Sequence, residues 1–156
     1  MKVRDIMKKK VITCDPGDII SDVTKKLRKH NISGMPVVES KKVVGIISES
    51  DVLRLLRTPE YSEELWLPSP LEFIEVPIRE LVEWIETKKA LEKIGNKPVA
   101  MVMTQRPYTV SPEDSVEKAA ELMIKYHINR LPVVEDGKLV GLVTRGDIIT
   151  GLVGRR

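Results

Sequence analysis

Residues 3–54 lie over residues 99–150 without a gap, ninety-six positions apart, and fifteen of the paired positions are identical. Met7 matches Met103, Thr13 matches Thr109, Pro16 matches Pro112, Asp18 matches Asp114 and Ile32 matches Ile128, while Pro36-Val37-Val38-Glu39 returns as Pro132-Val133-Val134-Glu135. The chain is thus an internal duplication, and its fold must be one that two copies of a single unit can build. A unit of about 55 residues is marginal alone, so the copies are expected to share a core. The expected organisation is a first repeat at 1–57, a partly helical insert at 58–98 and a second repeat at 99–156.

Each copy reads strand, helix, strand, strand, helix. Ile12-Thr13 and Tyr108-Thr109-Val110 are short β-prone runs, each closed by a proline that stops a strand. Asp114 with Glu117 three residues on predicts a helix start, after which Val116, Ala119, Ala120, Met123, Ile124 and His127 fall on one face. Asp18, Ile20, Val23 and Leu27 repeat that pattern in the first copy. Strands follow at Met35 to Glu39 and Leu131 to Glu135, each leading through a two-residue turn to a second apolar run. Asp136-Gly137 is a strong hairpin turn because both central residues need positive φ; Ser40-Lys41 is a weaker one. Final helices are expected from about Ser50 to Arg57 and from about Arg145 to Val153, the latter stopped by Gly154.

The junction before each final helix carries the chemistry. Gly141-Leu142-Val143-Thr144-Arg145-Gly146-Asp147 and Gly45-Ile46-Ile47-Ser48-Glu49-Ser50-Asp51 both run from a buried strand into a helical first turn, with a hydroxyl three residues before a carboxylate. Free backbone N–H groups at such a turn suit a phosphate, and an ionised carboxylate can accept from two vicinal ribose hydroxyls. The same hydroxyl and carboxylate also make a good helix cap, which explains them without any ligand.

Other features have plain structural readings. His30 and His127 close the first helices, where a cation favours the C-terminus. Cys14 is a small buried hydrophobe, and a lone cysteine excludes an internal disulfide, which favours a reducing cytoplasmic setting. The net charge of +3 is modest and both signs alternate, a solvated surface rather than a nucleic-acid patch. No apolar run approaches the roughly 18 residues of a membrane span. The sequence holds no phosphate-binding loop, zinc spacing or nucleophile elbow, so no catalytic set and no metal site are expected. Within the insert, Trp66, Phe73 and Trp84 fit either a cover over the repeats or a docking surface for a protein partner.

A β-α-β-β-α repeat that opens with Val3-Arg4-Asp5-Ile6-Met7, passes through Met35-Pro36-Val37-Val38 and closes on Gly45 to Asp51 resembles the CBS domain, named for cystathionine β-synthase. Two in tandem resemble a CBS pair, or Bateman module, whereas the long insert lies outside that pattern. The resemblance implies an α/β (α+β) fold with the repeats packed around a pseudo-two-fold axis. It also implies clefts for adenosine compounds such as AMP, ADP, ATP or S-adenosylmethionine, and a homodimer with helices of facing modules packed together. Under it Asp51 and Asp147 hold ribose, and Ser48 and Thr144 assist. Backbone at Ile12, Thr13 and Cys14 and at Tyr108, Thr109 and Val110 reads the adenine edge, and Arg130 meets phosphate.

The copies differ where a phosphate would lie, because Gly34 stands for Arg130 and Glu49 for Arg145. Phosphate-bearing ligands are therefore expected at a site built largely by the second copy, through Asp147, Thr144, Arg130 and Arg145. The expected function is a stand-alone sensor, not an enzyme and needing no resident cofactor, whose ligand alters association with a partner. The alternative is a ligand-free interaction or dimerisation scaffold that uses the insert.

Overall fold

The computed structural model describes residues 1–55 and 88–154. Trp66, Phe73 and Trp84 of the insert lie outside them. Elements in chain order are α1 (Val3–Ile6), α2 (Ile20–Lys29), β1 (Gly34–Glu39), β2 (Lys42–Ser48) and α3 (Glu49–Leu55). Then come α4, described at residues 88–95, a 3-10 turn at Val99–Met101, β3 (Thr104–Gln105), α5 (Val116–Tyr126), β4 (Arg130–Glu135), β5 (Lys138–Thr144) and α6 (Arg145–Val153). The mixed helix and strand content expected of the duplication is present.

Both hairpins turn as their neighbours in sequence require. Asp136 and Gly137 have φ of 52° and 77°, and Ser40 and Lys41 reach 50° and 66° without a glycine. The strand expected before the first helix of each copy contracts to one parallel bridge, Cys14 to Val37 and Val110 to Val133. Helix starts fall one residue later than the aspartates predict. Ser115 caps α5 by accepting from the Lys118 N–H, while Asp114 accepts from the Ser111 N–H at 2.8 Å. Ile19, in the equivalent place on α2, has no side chain that can cap. Each helix then ends on a left-handed residue, Asn31 (φ 51°) and His127 (φ 53°).

The chain forms two compact units, and each draws on both repeats. Unit 1 holds Met1–Pro16, Met35–Ile46 and Thr104–Arg156; unit 2 holds Gly17–Gly34 and Ile47–Met103. In unit 1 the Val3 N–H donates to the Asp114 carbonyl at 2.9 Å, and the Val116 N–H to the Met1 carbonyl at 3.1 Å. In unit 2 the equivalent residues repeat this: Val99 N–H to Asp18 carbonyl at 2.7 Å, and Ile20 N–H to Lys97 carbonyl at 2.9 Å. The opening segment of each copy thereby satisfies the otherwise unpaired first amide of the other copy's helix. Val3 and Val99 are fully buried. Val3 joins a core with Val110, Val116, Ala119, Leu131, Val133 and Val143, and Ile20, Val23, Leu27, Ile47 and Ile94 are buried in unit 2. No helix among the described residues is long and apolar enough to cross a membrane.

Candidate functional site

The strand β5 delivers Thr144 to the N-cap of α6, and the first turn brings Asp147 back over it. The Asp147 N–H donates to Thr144 Oγ1 at 3.2 Å, while the Thr144 N–H and hydroxyl both donate to Asp147 Oδ2, at 2.9 and 2.8 Å. This is a closed capping box, as the hydroxyl-x-x-carboxylate spacing requires. It occupies only one carboxylate oxygen. Oδ1 faces Lys8 Nζ at 3.8 Å, too long for a hydrogen bond, and the Asp147 side chain keeps 13% of its surface exposed.

The first copy closes further. Ser48 N–H and Oγ donate to Asp51 Oδ2 at 2.9 and 3.1 Å, and the Arg54 guanidinium donates to Oδ1 at 2.9 Å. Only 5% of the Asp51 side chain is exposed. A sugar hydroxyl reaching Oδ1 would have to displace Arg54 there, whereas at Asp147 it would need only to part a loose ion pair. Neither Lys8 nor Arg54 is singled out by the repeat pattern. Lys8 owes its place to the exchanged N-terminal segment: its N–H donates to the Leu142 carbonyl and its carbonyl accepts from the Leu142 N–H, both at 2.9 Å.

Backbone available for an adenine edge is narrower than the sequence suggests. The N–H groups of Cys14 and Val110 are spent on the Pro36 and Pro132 carbonyls, and their carbonyls accept from Val38 and Val134. Cys14 is buried, with its sulfur 4.0 Å from the Pro36 carbonyl. Ile12 and Thr13, and Tyr108 and Thr109, lie just before these two bridges, outside regular strands. The Tyr108 ring stacks on Tyr126, centroids 3.8 Å apart and planes 14° off parallel, with Lys125 Nζ 5.3 Å from the Tyr126 centroid. Desolvation, and then the neighbouring Tyr126 hydroxyl, raise the Tyr108 phenol above its ordinary pKa. The first copy places Ile12 and His30 at the equivalent positions, so this stack belongs to the second copy alone.

Arg130 opens β4 opposite Thr144, in register with it. Arg145 turns elsewhere: its guanidinium donates to Asn129 Oδ1 at 3.2 Å. It lines an open cavity of about 500 Å³ between α5 and α6, with Ile124, His127, Ile128 and Ile149. Ser48 and Asp51 belong to unit 2, and the other predicted residues to unit 1. Among the described residues there is no group of three or more His, Cys, Asp or Glu side chains that could hold a metal ion.

An uncharacterized protein of Methanocaldococcus jannaschii, MJ1426, is 42% identical over 155 residues, covering 98% of this chain and 92% of its own. The structure of CBSX2 in complex with AMP, a protein of Arabidopsis thaliana, matches with a TM-score of 0.69 at 26% identity, over 97% of this chain and 96% of that one. The CBS domain pair of protein MJ0100, in complex with 5′-methylthioadenosine and S-adenosyl-L-methionine, matches with a TM-score of 0.68 at 28% identity, over 100% and 98%. The family model for the CBS domain matches twice, at residues 3–58 and 99–154, and the chain belongs to the CBS domain family.

Proposed function

We propose that this chain is a regulatory module that binds an adenosine compound at the site built on Asp147 and that occupancy alters its association with a partner. One observation carries the reading: the capping box engages Asp147 Oδ2, while Oδ1 lies 3.8 Å from the ammonium of an exposed lysine. An acceptor in that position can take the 2′ and 3′ hydroxyls of a ribose. Thr144, Arg130, Tyr108 and Thr109 complete the site, Arg130 serving the phosphate from its place opposite Thr144. Ser48 and Asp51 are the weaker counterpart of Thr144 and Asp147, because Arg54 already holds Asp51. Relatives crystallised with AMP, and with 5′-methylthioadenosine and S-adenosyl-L-methionine, support an adenosine compound as the ligand.

The association we infer is a homodimer through α5 and α6. Ile124, Ile149, Leu152 and Val153 are 60–76% exposed on these two helices, and an apolar face of that kind suits a second copy of the same face. The role is one of binding rather than catalysis, in a reducing cytoplasmic setting that suits the free thiol of Cys14.

Thermal unfolding tests the site. Ligand at about a hundred times its Kd should stabilise the fold by roughly 2.7 kcal/mol, a rise of a few degrees. AMP, ADP, ATP, S-adenosylmethionine and methylthioadenosine should be screened against wild type, Asp51→Ala and Asp147→Ala. The expected result is a shift that Asp147→Ala loses and Asp51→Ala keeps; no shift with any ligand would sink the sensor reading.

A further inference from the structure

We propose that Lys8 is the residue that selects among adenosine ligands at the second-copy site, favouring those with an anionic 5′ group; this rests on the adenosine reading above. Lys8 belongs to the first repeat by sequence but is pinned to β5 of the second by two 2.9 Å backbone hydrogen bonds with Leu142. Its ammonium lies 3.8 Å from Asp147 Oδ1, with 63% of the side chain exposed. The backbone is therefore fixed, while the charged end can move.

The equivalent residue of the second repeat is Thr104, which pairs with Ile46 just as Lys8 pairs with Leu142. Nothing in the duplication requires a cation here, and the first copy neutralises its own carboxylate differently, through Arg54. Lys8 thus gives this site a cation that is not hydrogen-bonded to its carboxylate, whereas Arg54 is bonded to Asp51 at 2.9 Å. When ribose hydroxyls take Asp147 Oδ1, the ammonium loses its partner and is left beside the sugar. A 5′ phosphate replaces that partner with two negative charges. A neutral thioether offers nothing in exchange, and a sulfonium repels the ammonium.

The test is calorimetric titration of wild type and Lys8→Gln with AMP, methylthioadenosine and S-adenosylmethionine. These ligands share the adenosine and carry a negative, a neutral and a positive group at the 5′ carbon. Glutamine keeps the backbone pairing and much of the length, so the unliganded melting temperature should not move. AMP affinity should fall by roughly tenfold, methylthioadenosine should change little, and S-adenosylmethionine should tighten. Equal loss for all three would show that Lys8 merely orients Asp147 and would overturn the proposal, as would unchanged AMP affinity. If wild type binds none of them, the adenosine reading fails first. If wild type binds and Asp147→Ala still binds AMP as well, the ribose has been misplaced and the role of Lys8 falls while the sensor survives.

Discussion

A Cβ added at Gly141 would meet Met7 Sδ at 2.6 Å and the Lys8 carbonyl oxygen at 3.1 Å. One of these neighbours is the backbone that holds the exchanged segment, so it cannot swing away. Gly141→Ala should therefore cost about 1–3 kcal/mol in denaturant unfolding and weaken ligand binding by dislodging Lys8. Gly146, five residues on, makes the opposite prediction. A Cβ there meets only Thr144 Oγ1, at 3.7 Å, inside the first turn of α6. Gly146→Ala should gain about 0.5–1 kcal/mol through lower chain entropy and better helix propensity. Both positions carry glycine in the same seven-residue motif, so composition alone could not tell them apart. The difference is whether a distant part of the chain lies overhead. The same limit applies to Lys8 and Tyr126: each gains its meaning from a neighbour remote in sequence, Asp147 and Tyr108 respectively. Asp147 and Thr144 were readable because their partnership is three residues long.

Elements held together by local rules follow the sequence closely, and those held by distant pairing do not. α6 spans Arg145–Val153 with Gly154 at its end, as its cap and stop residues predict, and both hairpins fall at the expected two-residue turns. The strands at Ile12-Thr13 and Tyr108-Thr109-Val110 shrink to single bridges because their β-prone residues find a partner only at Val37 and Val133. Ile124 shows a different failure of pattern reading. It lies on the predicted apolar face of α5 but is 75% exposed, while Val116, Ala119 and Met123 are buried. The apolar surface of that helix is simply wider than the surface its own unit covers. The first hairpin yields a prediction of its own. Lys41 holds φ of 66° with a Cβ, at a position where the second copy has Gly137 at 77°. Left-handed backbone costs about 1–2 kcal/mol for an ordinary residue, part of which glycine returns as chain entropy. Lys41→Gly should thus stabilise by about 0.5–1 kcal/mol in chemical denaturation, and its carbonyl should still accept from Leu139 N–H, at 3.1 Å in the native hairpin. A loss of stability would mean that the lysine side chain contributes more than its backbone strain costs.

Across the whole molecule the duplication is not two domains joined by an insert, because each compact unit needs the opening segment of one repeat and the helix of the other. Surface charge reinforces the exchange in unit 1: Lys2 pairs with Glu113, and Arg4 donates to it at 2.7 Å. The Lys2 hydrogen bond, with the charges of both cations, holds the Glu113 carboxyl below its ordinary pKa. Lys118 and then the Ser111 N–H do the same for Asp114. Groups depressed in this way contribute fully above the unfolded pKa of about 4, and their contribution is lost as pH falls through the folded value. Wild type should lose stability below about pH 4.5, and Glu113→Gln should lose less over the same interval, with the difference shrinking in salt because the pairs are exposed. The larger consequence concerns autonomy. Residues 99–156 alone retain the second hairpin, α5 and α6, yet lack Val3 from the core and the Met1 carbonyl that receives the Val116 N–H. A repeat of this size has little stability to spare, so losing a fully buried valine, worth about 2 kcal/mol, together with a helix-start hydrogen bond should leave it without cooperative unfolding by circular dichroism. Adding a peptide of residues 1–16 should restore amide protection to α5 and β5 first, where Val3 and Lys8 dock. A cooperative melt of residues 99–156 unaided would show that the exchange decorates a self-sufficient repeat rather than completing it.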